Sequence, residues 1–287
     1  QIFGIRFMPK LTQMMRKVVP GFPLWLETLA APPAKQSFQP ISVLGSSSSI
    51  VYYPTCVNRM MGGYLHQSKD AVQTLQSICQ KTNIHLRIVQ QPEGTCCGQV
   101  FSSKGFREAH QEIAGVLIRR LWEASEQGKI PIVTDVSSCT YTLHQLRVHL
   151  KPGDQQKYDQ LVILDLVDFL HDQVLPLARV TKLKSRVMIH PVCSLQKMQK
   201  VDKLLRVARS FATEVEVPEP MGCCGMAGDR GFFYPELTRS ALSDESRQVQ
   251  AQPCEGYYST TRTCELALSE ATQQPYTSIL YLIDEGI

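Results

Sequence analysis

The sequence predicts an α/β fold made of two pseudo-repeated βα units with mostly parallel sheets. Three features predict it. Short apolar strand-like runs alternate with amphipathic helical runs from residue 41 onward. The same order of elements starts again near residue 181. The first strand of each round closes on a proline with a cysteine two residues later, as Pro54-Thr55-Cys56 and as Pro191-Val192-Cys193.

Residues 1–40 stand apart. Phe7 to Pro20 is basic, Met-rich and interrupted by proline, and Pro23, Pro32, Pro33 and Pro40 follow. This reads as a short helix and a Pro-rich linker. The first unit is assigned to 41–180. After a Ser46–Ser49 loop, Ser49–Tyr53 reads as a buried strand ending at Pro54. Asp70–Lys81 carries Ala71, Leu75, Ile78 and Cys79 at helical spacing, and His85–Val89 is a strand. Glu108–Ala124 is a helix with Ile113, Val116, Leu117 and Leu121 on one face. Ile130–Thr134 is a strand, Thr140–Leu150 a helix, Leu161–Leu166 a short strand or helix start, and Val167–Val174 a helix. The second unit is assigned to 181–287. It runs Arg186–His190 strand, Lys200–Phe211 helix, Glu214–Val217 strand, Pro235–Val249 helix, Gly256–Ser259 strand and Glu265–Ala271 helix.

Composition narrows the function. The 287 residues are 43% hydrophobic and 20% charged, enough to bury a core. A net charge of +4 is too weak to argue for nucleic acid. The longest apolar runs, Leu161–Leu166 and Ile279–Ile283, are far shorter than a bilayer span. No signal peptide is visible, and Gln1 in place of Met reads as a fragment of something longer. Ten cysteines in a chain with helical and strand patterning suggest metal or redox chemistry in a reducing compartment rather than a secreted disulfide framework.

The cysteines follow the repeat. Cys96-Cys97-Gly98 is answered by Cys223-Cys224-Gly225, and Cys139 by Cys264. Equivalent cysteines are offset by 137, 127 and 125 residues, so a duplicated unit is the economical reading. Each falls just past a strand, where loops of a parallel sheet gather at one edge. Two groups of four thiols are expected: Cys56, Cys96, Cys97 and Cys139, and Cys193, Cys223, Cys224 and Cys264. Cys79 reads as a core residue, and Cys254 has no equivalent. Zinc prefers C-x₂₋₄-C pairs, and none is present. Adjacent cysteines serve different metals of an iron–sulfur cluster more easily than one small ion. Vicinal disulfides or buried thiols are the structural alternatives. Gly98 and Gly225 would let backbone approach a bulky cofactor. His190 would tune or protonate a ligand, or simply be hydrogen-bonded. Arg59, Lys104, Arg230 and Arg262 would offset thiolate charge or be solvated, and Asp229-Arg230 reads as a local ion pair. No glycine-rich nucleotide motif follows a strand, and no Ser–His–Asp set is suggested.

Taken together, Tyr53 to Gly62, Cys96 to Gln99, Cys223 to Phe232 and Ser259 to Glu265 resemble the cysteine-rich CCG domain of iron–sulfur oxidoreductases. That family includes a subunit of heterodisulfide reductase, the iron–sulfur subunits of glycolate oxidase and anaerobic glycerol-3-phosphate dehydrogenase, and a fused FAD/iron–sulfur D-lactate dehydrogenase. The likeness is strongest to the last and runs from about residue 40 to the end. It implies the C-terminal segment of a flavin-dependent D-2-hydroxy-acid dehydrogenase, with the eight repeated cysteines holding iron–sulfur clusters of 4Fe-4S type. The FAD domain and a ferredoxin-like region would lie before Gln1. Electrons would pass to quinone or cytochrome, in the cytoplasm or peripherally on the inner face of the cell membrane. The family often ends each unit in C-x-x-C; here Val136 and Thr261 stand before Cys139 and Cys264, leaving four thiols per unit, and the fused enzymes commonly carry another cysteine in the strand before Cys139, where Thr134 is nearby instead. The rival functions are a cluster-based thiol or disulfide reductase, and a zinc-bearing or metal-free scaffolding subunit of a flavoprotein.

Overall fold

The computed structural model describes residues 7–29, 48–61, 63–90, 92 and 94–287. Most of the predicted linker, including Pro32, Pro33 and Pro40, lies outside the described residues, as do Ser46, Ser47 and Gly62.

In the first unit β1 (Ser49–Tyr53), β2 (His85–Ile88), β3 (Ile132–Thr134) and β4 (Ile163–Asp165) form a parallel sheet in the order β2-β1-β3-β4. In the second, β5 (Lys184–Ile189), β6 (Ala212–Glu216), β7 (Gly256–Ser259) and β8 (Tyr276–Ser278) form another in the order β6-β5-β7-β8. Every pairing is parallel, with Tyr53 beside Thr134 in one sheet and Ile189 beside Tyr258 in the other. The two strand orders are the same, as a duplication requires.

Helix α1 (Phe7–Val18) precedes the sheets. α2 (Cys56–Met60) and α3 (Ala71–Lys81) follow β1, α4 (Gln99–Ser103) and α5 (Arg107–Ala124) follow β2, and α6 (Ser137–His144) and α7 (Pro152–Tyr158) follow β3. α8 (Leu166–Phe169) follows β4 and runs into a π turn at Leu170–Val174. In the second unit α9 (Cys193–Lys197) and α10 (Val201–Arg209) follow β5. α11 (Arg230–Phe233), α12 (Pro235–Ala241) and α13 (Ser243–Ala251) follow β6, α14 (Arg262–Thr272) follows β7, and α15 (Ile279–Gly286) follows β8.

Local chemistry accounts for these elements. α3 starts on a capping box: the Asp70 carboxylate accepts from Gln73 N–H at 2.8 Å, and Asp70 N–H donates to the Gln73 side chain at 3.0 Å. Its apolar stripe is then fully buried. Leu75 and Ile78 each contribute about 1.5–3 kcal/mol, and Cys79 is a core thiol, as expected.

Four expectations change. α5 turns its face away from Val116, which is exposed, and buries His110, Ala114, Leu117, Ile118 and Leu121. The cause is its neighbour: Asp154 of α7 sits over Gly115 and pairs with Arg119 at 2.6 Å. The long helix expected over Pro235–Val249 breaks at Leu242, which turns into the core. Cys139 and Cys264 lie inside the first turns of α6 and α14 rather than before those helices. The apolar run Ile279–Ile283, with no element assigned from sequence, becomes α15, preceded by β8.

The two units interlock reciprocally. α15 packs on α3, where Lys69 and Lys81 reach Asp284 at 2.8 and 2.9 Å. In return, α8 and the π turn pack on α10, where Lys203 reaches Asp168 at 3.0 Å and Asp172 at 2.5 Å. α6 packs on α9, and α14 on α2. One apolar core runs from Ile50 to Ile283 through both units, and a second, including Val51, Tyr53, Cys97, Leu117 and Cys139, lies within the first unit.

Candidate metal centres

In each sheet the chain crosses from one side of the first strand to the other, between β1 and β3 and between β5 and β7. Parallel sheets open a crevice beyond the carboxyl ends of the strands at such a point. The cysteines lie there. Cys56 opens α2, Cys139 lies in the first turn of α6, and Cys96-Cys97 precede α4. Cys193 opens α9, Cys264 lies in the first turn of α14, and Cys223-Cys224 fall in the loop between β6 and α11.

The fold brings each expected group of four together. In the first unit the sulfur contacts run from Cys56 to Cys96, Cys96 to Cys97 and Cys97 to Cys139. In the second they run in the same order from Cys193 to Cys223, Cys223 to Cys224 and Cys224 to Cys264. Cys56 Sγ and Cys96 Sγ are 3.6 Å apart, and Cys224 Sγ and Cys264 Sγ 2.7 Å. These separations are too long for a disulfide, and all ten cysteines are free thiols. Cys97, Cys139, Cys224 and Cys264 are buried, Cys56, Cys96 and Cys193 half-buried, and Cys223 exposed. Cys79 and Cys254 belong to neither group.

Electrostatics repeats with the geometry. Cys96 is held well below the ordinary thiol range by hydrogen bonds from the Cys56 and Cys97 thiols, with further help from Gly98 N–H at 3.3 Å and the Arg59 charge. Cys223 is lowered in the same way by Cys193 and Cys224, then by Gly225 N–H and His190. Their neighbours move the other way. Cys56 and Cys193 are raised, first by hydrogen bonding to that thiolate and then by burial. Cys97 is raised by bonding to Cys139 and Cys96, and Cys224 by bonding to Cys223 and Cys264. Four thiols this close cannot all ionise without a cationic partner, so metal and protons compete for them.

The predicted neighbours divide. Arg59 serves the first group, braced by bonds to Pro54 C=O at 3.1 Å and Thr95 C=O at 2.8 Å. Arg230 is exposed, and Asp229 pairs with Lys104 at 2.6 Å rather than with Arg230. That bridge ties the two Cys-Cys-Gly segments together across the units. Arg262 turns instead to Tyr64, Gly63 and Glu265. Gly98 and Gly225 both have positive φ, but a Cβ would strike protein: His110 Cδ2 at 2.4 Å and Leu237 C=O at 2.7 Å. These glycines therefore serve tight packing of each loop on its own unit, not room for a cofactor. His190 is buried and bonds through Nδ1 to Glu245. Sequence reasoning missed Glu245, which is 55 residues away and carries no local signal. It also missed His110, hidden behind a wrongly phased helix face. Asp135, which receives Thr55 N–H at 3.1 Å, was legible as an acid at a strand end.

A polynuclear thiolate-bound centre fits these residues. Soft thiolates select iron–sulfur clusters, zinc or Cu(I). Among the described residues, no group of three or more His, Cys, Asp or Glu is arranged for one metal ion. Buried polar atoms without a hydrogen-bond partner also gather beside the cysteines in sequence: Thr55 Oγ1 and Asn58 Oδ1 flank Cys56, Ser194 Oγ follows Cys193, and Thr261 Oγ1 precedes Cys264. Native interiors leave few such atoms unsatisfied, so their concentration here suits a site completed by a further group.

Fold and site together define a duplicated parallel α/β module with one thiol cluster per repeat. The chain belongs to the cysteine-rich domain family, CCG, which matches residues 50–144 and 187–269, more than half of the chain. It is similar to the glycolate oxidase iron-sulfur subunit of Escherichia coli (strain K12), with 24% identity over 203 residues. That match covers 68% of this chain and 49% of the relative, so the chain spans about half the relative's length. Among solved structures, a Picrophilus torridus aspartate racemase gives a TM-score of 0.36 at 7% identity, covering 83% of this chain and 91% of that one. A glutamate racemase from Aquifex pyrophilus gives 0.32 at 10% identity, covering 83% and 81%. Scores this low carry no argument about this protein.

Proposed function

We propose that this chain is an iron–sulfur electron-transfer module of a flavin-dependent 2-hydroxy-acid dehydrogenase of the D-lactate type. The observation that carries the reading is the pair of four-thiol clusters at equivalent edges of two repeated sheets. Cys56, Cys96, Cys97 and Cys139 would hold one centre, and Cys193, Cys223, Cys224 and Cys264 the other. When bound there, an iron–sulfur centre of 4Fe-4S type supplies one-electron acceptance and release. The protein contributes the burial of Cys97, Cys139, Cys224 and Cys264, which keeps water away, and the Arg59 charge, which offsets thiolate repulsion. Likeness to an iron–sulfur subunit of a glycolate oxidase supports a flavoprotein partner. In this reading FAD and ferredoxin-like domains of the full-length protein deliver electrons, and quinone or cytochrome takes them. Iron and acid-labile sulfide measured after anaerobic purification should show a centre in each unit. Well-folded protein with neither would defeat the reading.

We also place the module on the inner face of the cell membrane. Among the described residues no helix is long and apolar enough to cross a bilayer. α1 supports a peripheral position. It docks through Pro9, Thr12 and Arg16, whose guanidinium donates to Phe233 C=O. Phe7, Met8, Met14, Met15 and Val18 form an exposed apolar stripe on the outer side, flanked by Lys10 and Lys17, and the helix has no acid. Such a helix lies in an anionic interface. Co-sedimentation with phosphatidylglycerol vesicles is expected, lost on combining Met14→Asp with Val18→Asp. Equal binding by this variant would remove the location.

A further inference from the structure

We propose that His190 is a nitrogen ligand of the second unit's centre and that the first unit's centre has no such ligand. The inference rests on the iron–sulfur reading above. The repeat sets the position. Tyr53-Pro54 and His190-Pro191 close β1 and β5 in equivalent places, so Tyr53 and His190 occupy one site of the duplicated unit. In the first unit this residue lies against the thiols. The Tyr53 hydroxyl bonds Thr95, next to Cys96, at 3.2 Å, and burial keeps it protonated, with Cys139 and Cys56 adding to the effect. In the second unit the residue is an imidazole within electrostatic reach of Cys223.

The state of that imidazole decides its role. His190 is 2% exposed, and its Nδ1 lies 2.8 and 3.0 Å from the two carboxylate oxygens of Glu245. Glu245 is itself buried and also receives the Tyr276 hydroxyl at 3.3 Å. A carboxylate only accepts, so Nδ1 carries the proton. In the neutral ring Nε2 then presents a lone pair, and this atom is buried with no hydrogen-bond partner. Leaving such a buried acceptor unsatisfied is unfavourable. A bound iron removes that cost, and a ligating histidine almost always gives its other N–H to a carboxylate or carbonyl.

His110 makes the contrast. Its Nε2 is also buried and without a partner. Yet its ring fills the space where Gly98 lacks a Cβ and lies against His149, 4.8 Å between centroids, and no carboxylate fixes its tautomer among the described contacts. Like His190 it stands within electrostatic reach of its unit's cysteine, Cys96, but with its ring packed on Gly98 and His149 and, among the described residues, no carboxylate on its other nitrogen, it serves packing in the first unit. The consequence is two centres with unequal donors: thiolates alone in the first, thiolates plus imidazole in the second. Histidine ligation raises the potential of an iron–sulfur centre. The second centre is therefore reduced first, and electrons run from the first unit to the second.

The test uses the whole chain, reconstituted anaerobically with iron and sulfide and grown with ¹⁵N-histidine. Pulsed EPR of the paramagnetic protein should show the strong nitrogen coupling of a directly bonded imidazole, altered by the isotope. His190→Tyr, which installs the first unit's own residue, should abolish it while iron content holds. Iron-loaded protein with no nitrogen coupling, with the weak coupling of a hydrogen-bonded ring, or with a coupling that survives H190Y overturns the assignment alone. Protein that takes up no iron overturns the iron–sulfur reading with it. If H190Y does not fold, the labelled wild-type spectrum decides.

Discussion

Replacing Cys224 by serine should lower the iron bound per chain to about half, and adding Cys97→Ser should remove the remainder. Each of these cysteines is the buried member of its adjacent pair, and each contacts two other thiols of its group. Serine keeps the size but offers a hard oxygen that stays protonated where thiolate chemistry is required. The two groups share no cysteine, so each loss should be independent, to a first approximation. Cys79→Ser is the control. That thiol is buried by α3, away from both groups, so its replacement costs core stability and leaves iron unchanged. Iron and sulfide content with the visible charge-transfer absorbance reads all four proteins. Full iron in the double variant would show that the clustered thiols are not the ligands.

The second large effect is structural. Above about pH 7, Arg262→Met should destabilise the protein by about 3–5 kcal/mol, because it leaves a buried carboxylate without its cation. Arg262 is 3% exposed and Glu265 1%. The guanidinium lies 4.0 Å over the Tyr64 ring, donates to Gly63 C=O at 3.1 Å and stands 3.9 Å from Glu265. The Tyr64 hydroxyl donates to the same carboxylate. Gly63 and Tyr64 belong to the first unit, and Arg262 and Glu265 to the second, so this cluster clamps the units together.

Its pH dependence follows from Glu265. Burial pushes that carboxyl up to about 7, against the opposing pull of Arg262 and the Tyr64 hydroxyl. The folded state therefore holds a proton that the unfolded chain releases near its ordinary value. The resulting stability is full below that ordinary value and declines as pH rises to about 7. Without Arg262 the charged form is costlier still. Urea denaturation should show a larger penalty for R262M at pH 8 than at pH 6. A penalty independent of pH would mean that Arg262 acts through packing alone.

Much of this was legible from residues. The alternation of β-rich and helical runs carries the fold class because a parallel sheet buries its strands on both faces. The duplicated spacing of cysteines carried the two thiol groups, since equivalent strand ends must fall at one edge of each sheet. Where the reading failed, a partner distant in the chain was responsible. Val116 reads as inward because periodicity has no knowledge of α7, and Arg262 reads as either a thiolate partner or a solvated residue because sequence nearness to Cys264 says nothing of Tyr64. Gly98 and Gly225 show the same limit. Their need for a missing Cβ was visible, but whether protein or cofactor claimed the space was not.

The chain's own pattern determined most of the strands, though not β8, that the unit is doubled, and which eight sulfurs belong together, because these depend on local periodicity and on spacing that survives duplication. The tertiary structure alone decided that α15 and α8 cross to the opposite unit, that Lys104 pairs with Asp229, and that Glu245 orients His190. Those contacts join residues far apart in sequence, and long-range packing selects them where no local preference does.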